Sequence, residues 1–425
     1  MRELFGQGAR AFLLSNGSFA INFAGNLALV RILTPQIFGT YALAVALVGI
    51  VEIFTTFALQ TVYLQRRASE RLLAAIVQAM IGIAGLKCLV VLLVLLVLQR
   101  HYDAEVWTIF GFIFAAKLLV PFNALLVAML EKQFRFTASS FVTSLSNSAS
   151  VVVAVGTGLL GGGILSLAVR DVLPILIMLG LGLWLNRSVK IRWRAFNLRQ
   201  SRTLVRSALD MYAVRASELG FSKLPPLVVE RLFGVEILGF LHQALYLVNS
   251  VNRVTVVLNQ QIAVVYFNRY RKNRAKTAEG FRILLAISAG LGTLAAPILL
   301  FFPETLIRIL WGEAWLGARD MLRIMALLVF VIPLFTILKS QLYGRRRTLW
   351  LAGTYIFGAL SILPLLLALR QAGLAPGVAV AVAYFSTFSI MALTAGWGVF
   401  TKGFGSPSTG GAPQDLPLMS EEGAP

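Results

Sequence analysis

Apolar residues along this chain fall in runs of about 20, the length an α-helix needs to cross a bilayer. Twelve such runs follow one another, at roughly residues 11–33, 38–62, 73–98, 105–129, 137–159, 163–185, 207–230, 237–265, 281–302, 317–342, 348–369 and 374–400. Short polar turns separate them. The pattern predicts an all-α polytopic membrane protein of about twelve transmembrane helices. Segment 303–323 is less regular. Its Glu304, Arg308, Trp311, Glu313 and Trp315 read as an interfacial helix leading into the tenth span.

The seventh run breaks the apolar pattern most. Between Ala208 and Glu230 it carries Asp210, Arg215, Glu218 and Lys223. At about 100° per residue, Arg215, Glu218 and Ser222 fall on one stripe roughly 60° wide. Pro225 and Pro226 are expected to break this helix near its far end. A charge at the bilayer centre costs roughly 2.5–3.5 kcal/mol on insertion scales, so several on one span require partners or an aqueous cavity. The stripe is therefore expected to face a path across the membrane.

Composition agrees with the pattern. The chain is 58% hydrophobic and 13% charged, against about 25% charged in soluble domains. The net charge of +20 sits mainly in short turns between spans, which argues for membrane topology and against a nucleic-acid partner. One cysteine, Cys88, and two distant histidines, His101 and His242, exclude an internal disulfide and make no metal site or cofactor expected. The first apolar run is too long for a signal peptide and contains Asn16, Asn22 and Asn26, so it reads as a retained span.

Charge also orients the chain. The turns after even-numbered spans hold 22 Lys and Arg, including Arg66, Lys132, Arg187, Arg269 and Lys339, whereas those after odd spans hold 7. By the positive-inside rule both termini are cytoplasmic. The hydrophilic connection 186–206 divides the chain into six-helix lobes, 1–200 and 201–400, followed by a Gly/Pro/Ser-rich tail, 401–425, expected to be disordered. The lobes carry a weak internal repeat at an offset of 200. Arg31, Ile37, Gly39 and Ala44 are matched by Arg231, Ile237, Gly239 and Ala244. Repeated halves are common in transporters, with the substrate site between them.

The stretch Val30-Arg-Ile-Leu-Thr-Pro35, with Phe38-Gly39-x-Tyr41, resembles the turn after the first span in polysaccharide exporters of the multidrug/oligosaccharidyl-lipid/polysaccharide superfamily. Gln65-Arg66, Glu131-Lys-Gln-Phe-Arg-Phe136 and Trp311-Gly-Glu-x-Trp315 are similar to that family's later segments. The resemblance implies a flippase for a polyprenyl-pyrophosphate-linked oligosaccharide in the bacterial inner membrane, working by alternating access. It further implies a glycan cargo in the bilayer, with a polysaccharide polymerase and other assembly proteins as expected partners. One departure stands out. Where the family often has an Asp after span 7, this chain has Lys223-Leu-Pro-Pro226, so an ion-coupling role for that Asp does not carry over.

Such a cargo demands a polar, cationic cavity. Arg suits phosphate oxygens because its planar guanidinium donates in pairs. The candidate headgroup contacts are Arg215, Arg253, Lys87, Lys117, Arg170 and Lys223. At 1.5 Å per residue, Arg215 lies about 12 Å from the cytoplasmic end of its span, Arg253 and Lys117 about 19 Å, and Lys87 about 22 Å. Arg215 and Glu218 are three residues apart and can pair locally. Asn22 and Asn26 belong to a polar stripe with Ser15 and Ser18, and Thr143, Ser146, Asn147 and Ser150 form another. Such stripes fit sugar hydroxyls and equally fit packing between membrane helices. Glu218, Glu52 and Asp171 are candidate ion-coupling carboxylates.

Two other readings compete. A cation-coupled multidrug or metabolite exporter would share the fold but would call for an acidic cavity. A membrane glycosyltransferase or polysaccharide polymerase would need a large extracytoplasmic loop with reactive groups, and the odd-numbered turns are short. A non-enzymatic flippase is the reading expected.

Overall fold

The computed structural model describes residues 2–401 except 56, 58, 66–69, 188–197, 259–262, 271–272 and 346. Much of the basic connection and the tail from 402 therefore lie outside the described residues, as do Arg66 and the side chain of Asp210. Every regular element among the described residues is helical. This is what a bilayer demands, since each backbone N–H and C=O must find its partner within the segment.

The first lobe contains α1 (Arg2–Ile32), α2 (Pro35–Thr55), α3 (Leu59–Gln65), α4 (Glu70–Leu98), α5 (Ala104–Lys117), α6 (Val120–Lys132), α7 (Phe136–Leu159) and α8 (Ile164–Leu185). The second contains α9 (Leu198–Phe233), α10 (Val235–Leu258), α11 (Val264–Arg269), α12 (Arg274–Phe301), α13 (Pro303–Leu310), a 3₁₀ turn (Glu313–Ala318), α14 (Arg319–Met325), α15 (Leu328–Gly344), α16 (Thr348–Gln371) and α17 (Pro376–Phe400). Among the described residues, nine spans are long and apolar enough to cross a membrane, and the pair formed by 313–325 and α15, bent by 52°, makes a tenth. The long helices α9 and α10 complete twelve. Their polar content sets them apart from the rest, and it marks them as interior rods rather than lipid-facing ones. By contrast, α4 turns Leu89, Leu92, Leu93 and Leu96 outward.

Several boundaries differ from the sequence pattern. The second and eighth runs each end early and resume as the short helices α3 and α11. The fourth run breaks at Leu118–Leu119, just before Pro121. Pro225 and Pro226 do not end their helix. Both lie inside α9, which continues to Phe233. Each proline removes one backbone donor, but α9 is clamped between α2 and α16, and that packing holds the rod together across the gap. The tryptophans of the 303–323 segment are not interfacial anchors. Trp311 is 3% and Trp315 0% exposed. The Trp315 indole donates to the Val30 carbonyl at 2.9 Å and packs edge-on against Phe38. Trp315 is thus a buried wedge between lobes, and its segment is further tied down by Arg31, which donates to the carbonyls of Ile309 and Leu310.

The lobes meet along α2, which packs on both α9 and α10. The repeat at an offset of 200 has a physical cause at this contact. A Cβ built on Gly39 would stand 1.8 Å from the Val235 carbonyl oxygen, and one built on Gly239 would stand 2.0 Å from the Pro35 carbonyl oxygen. Each glycine therefore receives the main chain four residues before the other. Around them, Leu29, Val30, Phe38 and Leu47 share one buried core with Leu241, Ala244, Val248 and Trp315.

Candidate substrate cavity

A cavity of about 630 Å³ lies where α1, α7, α8 and α10 meet the break between α5 and α6. That volume is within the range of about 300–1,000 Å³ usual for small-molecule sites. Asn22 and Asn26 reach it from α1, Asn147 and Ser150 from α7, and Asn123 from α6. Lys117 ends α5, Arg170 and Asp171 come from α8, and Tyr246 and Arg253 come from α10. The break in the fourth span is what brings Lys117 and Asn123 to the same wall.

Arg170 organises one side. It donates through Nη1 to Asn26 Oδ1 at 2.7 Å and through Nη2 to the Tyr41 hydroxyl at 3.3 Å. The Tyr41 hydroxyl donates in turn to Asp171 Oδ2, and Arg170 Nε lies 3.8 Å from the other Asp171 oxygen. Asn26 passes the chain across the lobes, donating to Gln243 Oε1 at 3.2 Å. Arg170 is therefore neutralised and largely committed within the protein. Arg253 is not. Its guanidinium lies over the Phe19 ring at 3.9 Å, which fixes its plane and leaves its edge donors without a carboxylate.

The other cations lie in three places. Lys117 pairs with Glu52 at 3.7 Å, and Lys87, 6% exposed, donates to the Lys117 carbonyl at 3.4 Å. Lys223 lines a second cavity, of about 260 Å³, between α2, α9 and α10. Arg215 and Glu218 lie away from both cavities. They pair at 3.6 Å, as their spacing suggests, but Glu218 also accepts from Lys339 at 2.6 Å and from the Tyr355 hydroxyl at 3.2 Å. Lys339, which the sequence reading assigns to a basic turn, is inside α15. Arg215 and Glu218 thus turn into the second lobe, while Ser222 of the same stripe lines the smaller cavity.

Three carboxylates, Glu52, Asp171 and Glu218, therefore hold Lys117, Arg170, Arg215 and Lys339. Among the described residues, Lys87, Lys223 and Arg253 form no ion pair. Lys87 has the Lys117 carbonyl as a partner, whereas Lys223 and Arg253 would together raise the energy by about 5–7 kcal/mol in hydrocarbon, so these two require water or an anion. The amides around the cavity both donate and accept, and the buried Asn123 Oδ1 has no partner within the protein. The cavity lining thus combines a guanidinium edge with side-chain amides and hydroxyls.

Sequence reasoning groups Asn22, Asn26, Arg170 and Arg253 as candidates without placing them in one wall. It misses Tyr41, Asn123, Gln243 and Tyr246. A signal existed for Asn123, which stands two residues after Pro121 in an otherwise apolar run, but none for Gln243, whose role depends on how the lobes dock.

The same architecture recurs in solved structures. The lipid II flippase MurJ in an inward closed conformation superposes with a TM-score of 0.66 at 11% identity, over 92% of this chain and 88% of that one. An inward-facing multidrug resistance MATE transporter of the MOP superfamily gives 0.60 at 14% identity, over 91% and 93%. The eukaryotic MATE transporter AtDTX14 gives 0.55 at 14%, over 94% and 97%. No curated protein sequence matches the chain significantly. Residues 28–320 match the model of the polysaccharide biosynthesis protein family, and with this fold and cavity the chain belongs to that family and is a multi-pass membrane protein built like the MOP-superfamily transporters.

Proposed function

We propose that the chain is a flippase that moves a polyprenyl-pyrophosphate-linked oligosaccharide across the bacterial inner membrane by alternating access, with both termini cytoplasmic. The observation that carries this reading is the cavity itself, in which Arg253, without a counter-ion among the described residues, shares the lining with the amides of Asn22, Asn26, Asn123 and Asn147. An arginine edge suits phosphate oxygens, and amides suit sugar hydroxyls. Arg170 positions Asn26, Lys117 adds charge at the α5–α6 break, and Lys87 reinforces it. No reaction is needed, so the protein acts without catalysis, handing cargo to a polymerase or other assembly proteins.

The exporter reading is weakened by charge. A cavity for cationic drugs would be acidic, and here Glu52, Asp171 and Glu218 are each already held by a basic residue. For the same reason, coupling through Glu218, Glu52 or Asp171 would act by freeing a bound Lys or Arg. The test is translocation of a fluorescent polyprenyl-pyrophosphate sugar in proteoliposomes. Arg253→Ala should lower the rate at least tenfold with insertion unchanged, and wild-type rates in that variant would refute the proposal.

A further inference from the structure

Lys223 is the least explained charge in the bundle. Its aliphatic stem lies across α2 at Gly49, where an added Cβ would stand 2.4 Å from Lys223 Cγ and 2.7 Å from Cδ. Gly49 thus makes room for the lysine between α2 and α9. Among the described residues, no carboxylate pairs with it. Lys223 lines the smaller cavity together with Tyr246, and Tyr246 also lines the larger one.

The smaller cavity differs in chemistry from the larger. Beside Lys223 it offers Ser222, His242 and Asn249, set among apolar residues such as Leu241 and Leu245. The larger cavity is rich in amides. A compact cationic pocket with apolar walls strengthens attraction for a small anion, because little water is present to screen it. Its volume of about 260 Å³ is below the usual range of about 300–1,000 Å³ for whole ligands, which points to one group of a larger ligand.

We propose that the smaller cavity is a separate phosphate subsite, with Lys223 as its anchoring cation alongside Arg253 of the larger cavity, and that the cargo is divided there: the pyrophosphate is held by both cations, and the sugars lie against the amides of the larger cavity. The assignment rests on the flippase reading and adds which cavity takes which part. Gly49 is its positioning residue.

The test uses the full chain in phosphatidylcholine nanodiscs, with calorimetric titration of inorganic pyrophosphate and farnesyl pyrophosphate. Both should bind the wild type. Lys223→Gln should weaken both about tenfold or more, as expected for loss of one charged hydrogen bond. Lys223→Arg should retain most of the affinity, and Gly49→Ala, which keeps the charge but displaces it, should fall between. Unchanged affinity in Lys223→Gln, with binding still lost in Arg253→Ala, would overturn the subsite and leave the flippase reading standing. If neither pyrophosphate binds the wild type, both readings fall. Nanodiscs containing phosphatidylglycerol distinguish the source of the phosphate. Competition by this lipid as strong as by farnesyl pyrophosphate would reassign the pocket to an ordinary lipid headgroup and overturn the cargo assignment.

Discussion

Arg170 Nη1 and Asn26 Oδ1 are 2.7 Å apart, and this bond ties α8 to α1 at the cavity wall while Asn26 also donates to Gln243 of the other lobe. Asn26 is 2% exposed, so its removal leaves two buried groups short of a partner. Asn26→Ala should destabilise the protein by about 1–3 kcal/mol and lower translocation. Asn26→Asp should keep the bond to Arg170, and the Gln243 amide, whose Nε2 has no partner among the described residues, can turn to donate to the new carboxylate, so the melting temperature should hold while transport slows from the negative charge added beside the cargo. Thermal unfolding in detergent and vesicle transport, measured on both variants, separate the two effects.

The Glu218–Lys339 pair sits inside the second lobe at 2.6 Å. Lys339→Met leaves Glu218 with the more distant Arg215 and the Tyr355 hydroxyl, a loss of about 1–3 kcal/mol. The double variant Lys339→Met with Glu218→Gln should regain much of that stability, because no charge is left stranded. A double variant less stable than either single one would contradict this account.

Gly39→Ala and Gly239→Ala should each force α2 and α10 apart, since either Cβ would meet a carbonyl oxygen at about half the distance two atoms tolerate. Both variants should show lowered melting temperatures. Combining them should cost less than the two costs added together, because the first already opens the crossing that the second needs. A double-mutant cycle on thermal stability measures the difference.

Trp315→Phe keeps most of the packing against Phe38 and Phe240 but removes the hydrogen bond to Val30. The buried carbonyl is left unsatisfied, for a loss of about 1–2 kcal/mol. Hydrogen exchange at the α1–α2 turn should rise in this variant, while exchange within α16 and α17 stays as in the wild type.

Much of this molecule is legible in its sequence. The apolar runs mark the twelve rods, and the asparagines of α1 with Arg170 and Arg253 are recognisable as residues that need a partner inside a membrane. What the pattern cannot give is direction. Helical spacing puts Arg215 and Glu218 on one face of α9, but which neighbour that face meets depends on packing, and it meets Lys339 rather than the cavity. Tryptophans near a span end resemble interfacial anchors until the wedge folds inward and buries Trp315. The two prolines of α9 look like a stop because local propensity favours one, and tertiary clamping overrides it.

The crossing at Gly39 and Gly239 has a last consequence. Each half offers the other the same surface that it receives, which is the isologous contact of a symmetric homodimer, here made by one chain with itself. Because the obstacles at both glycines are main-chain carbonyls of Pro35 and Val235, no side chain can be trimmed to accommodate a larger residue there. Second-site suppressors of either substitution would have to move a whole helix.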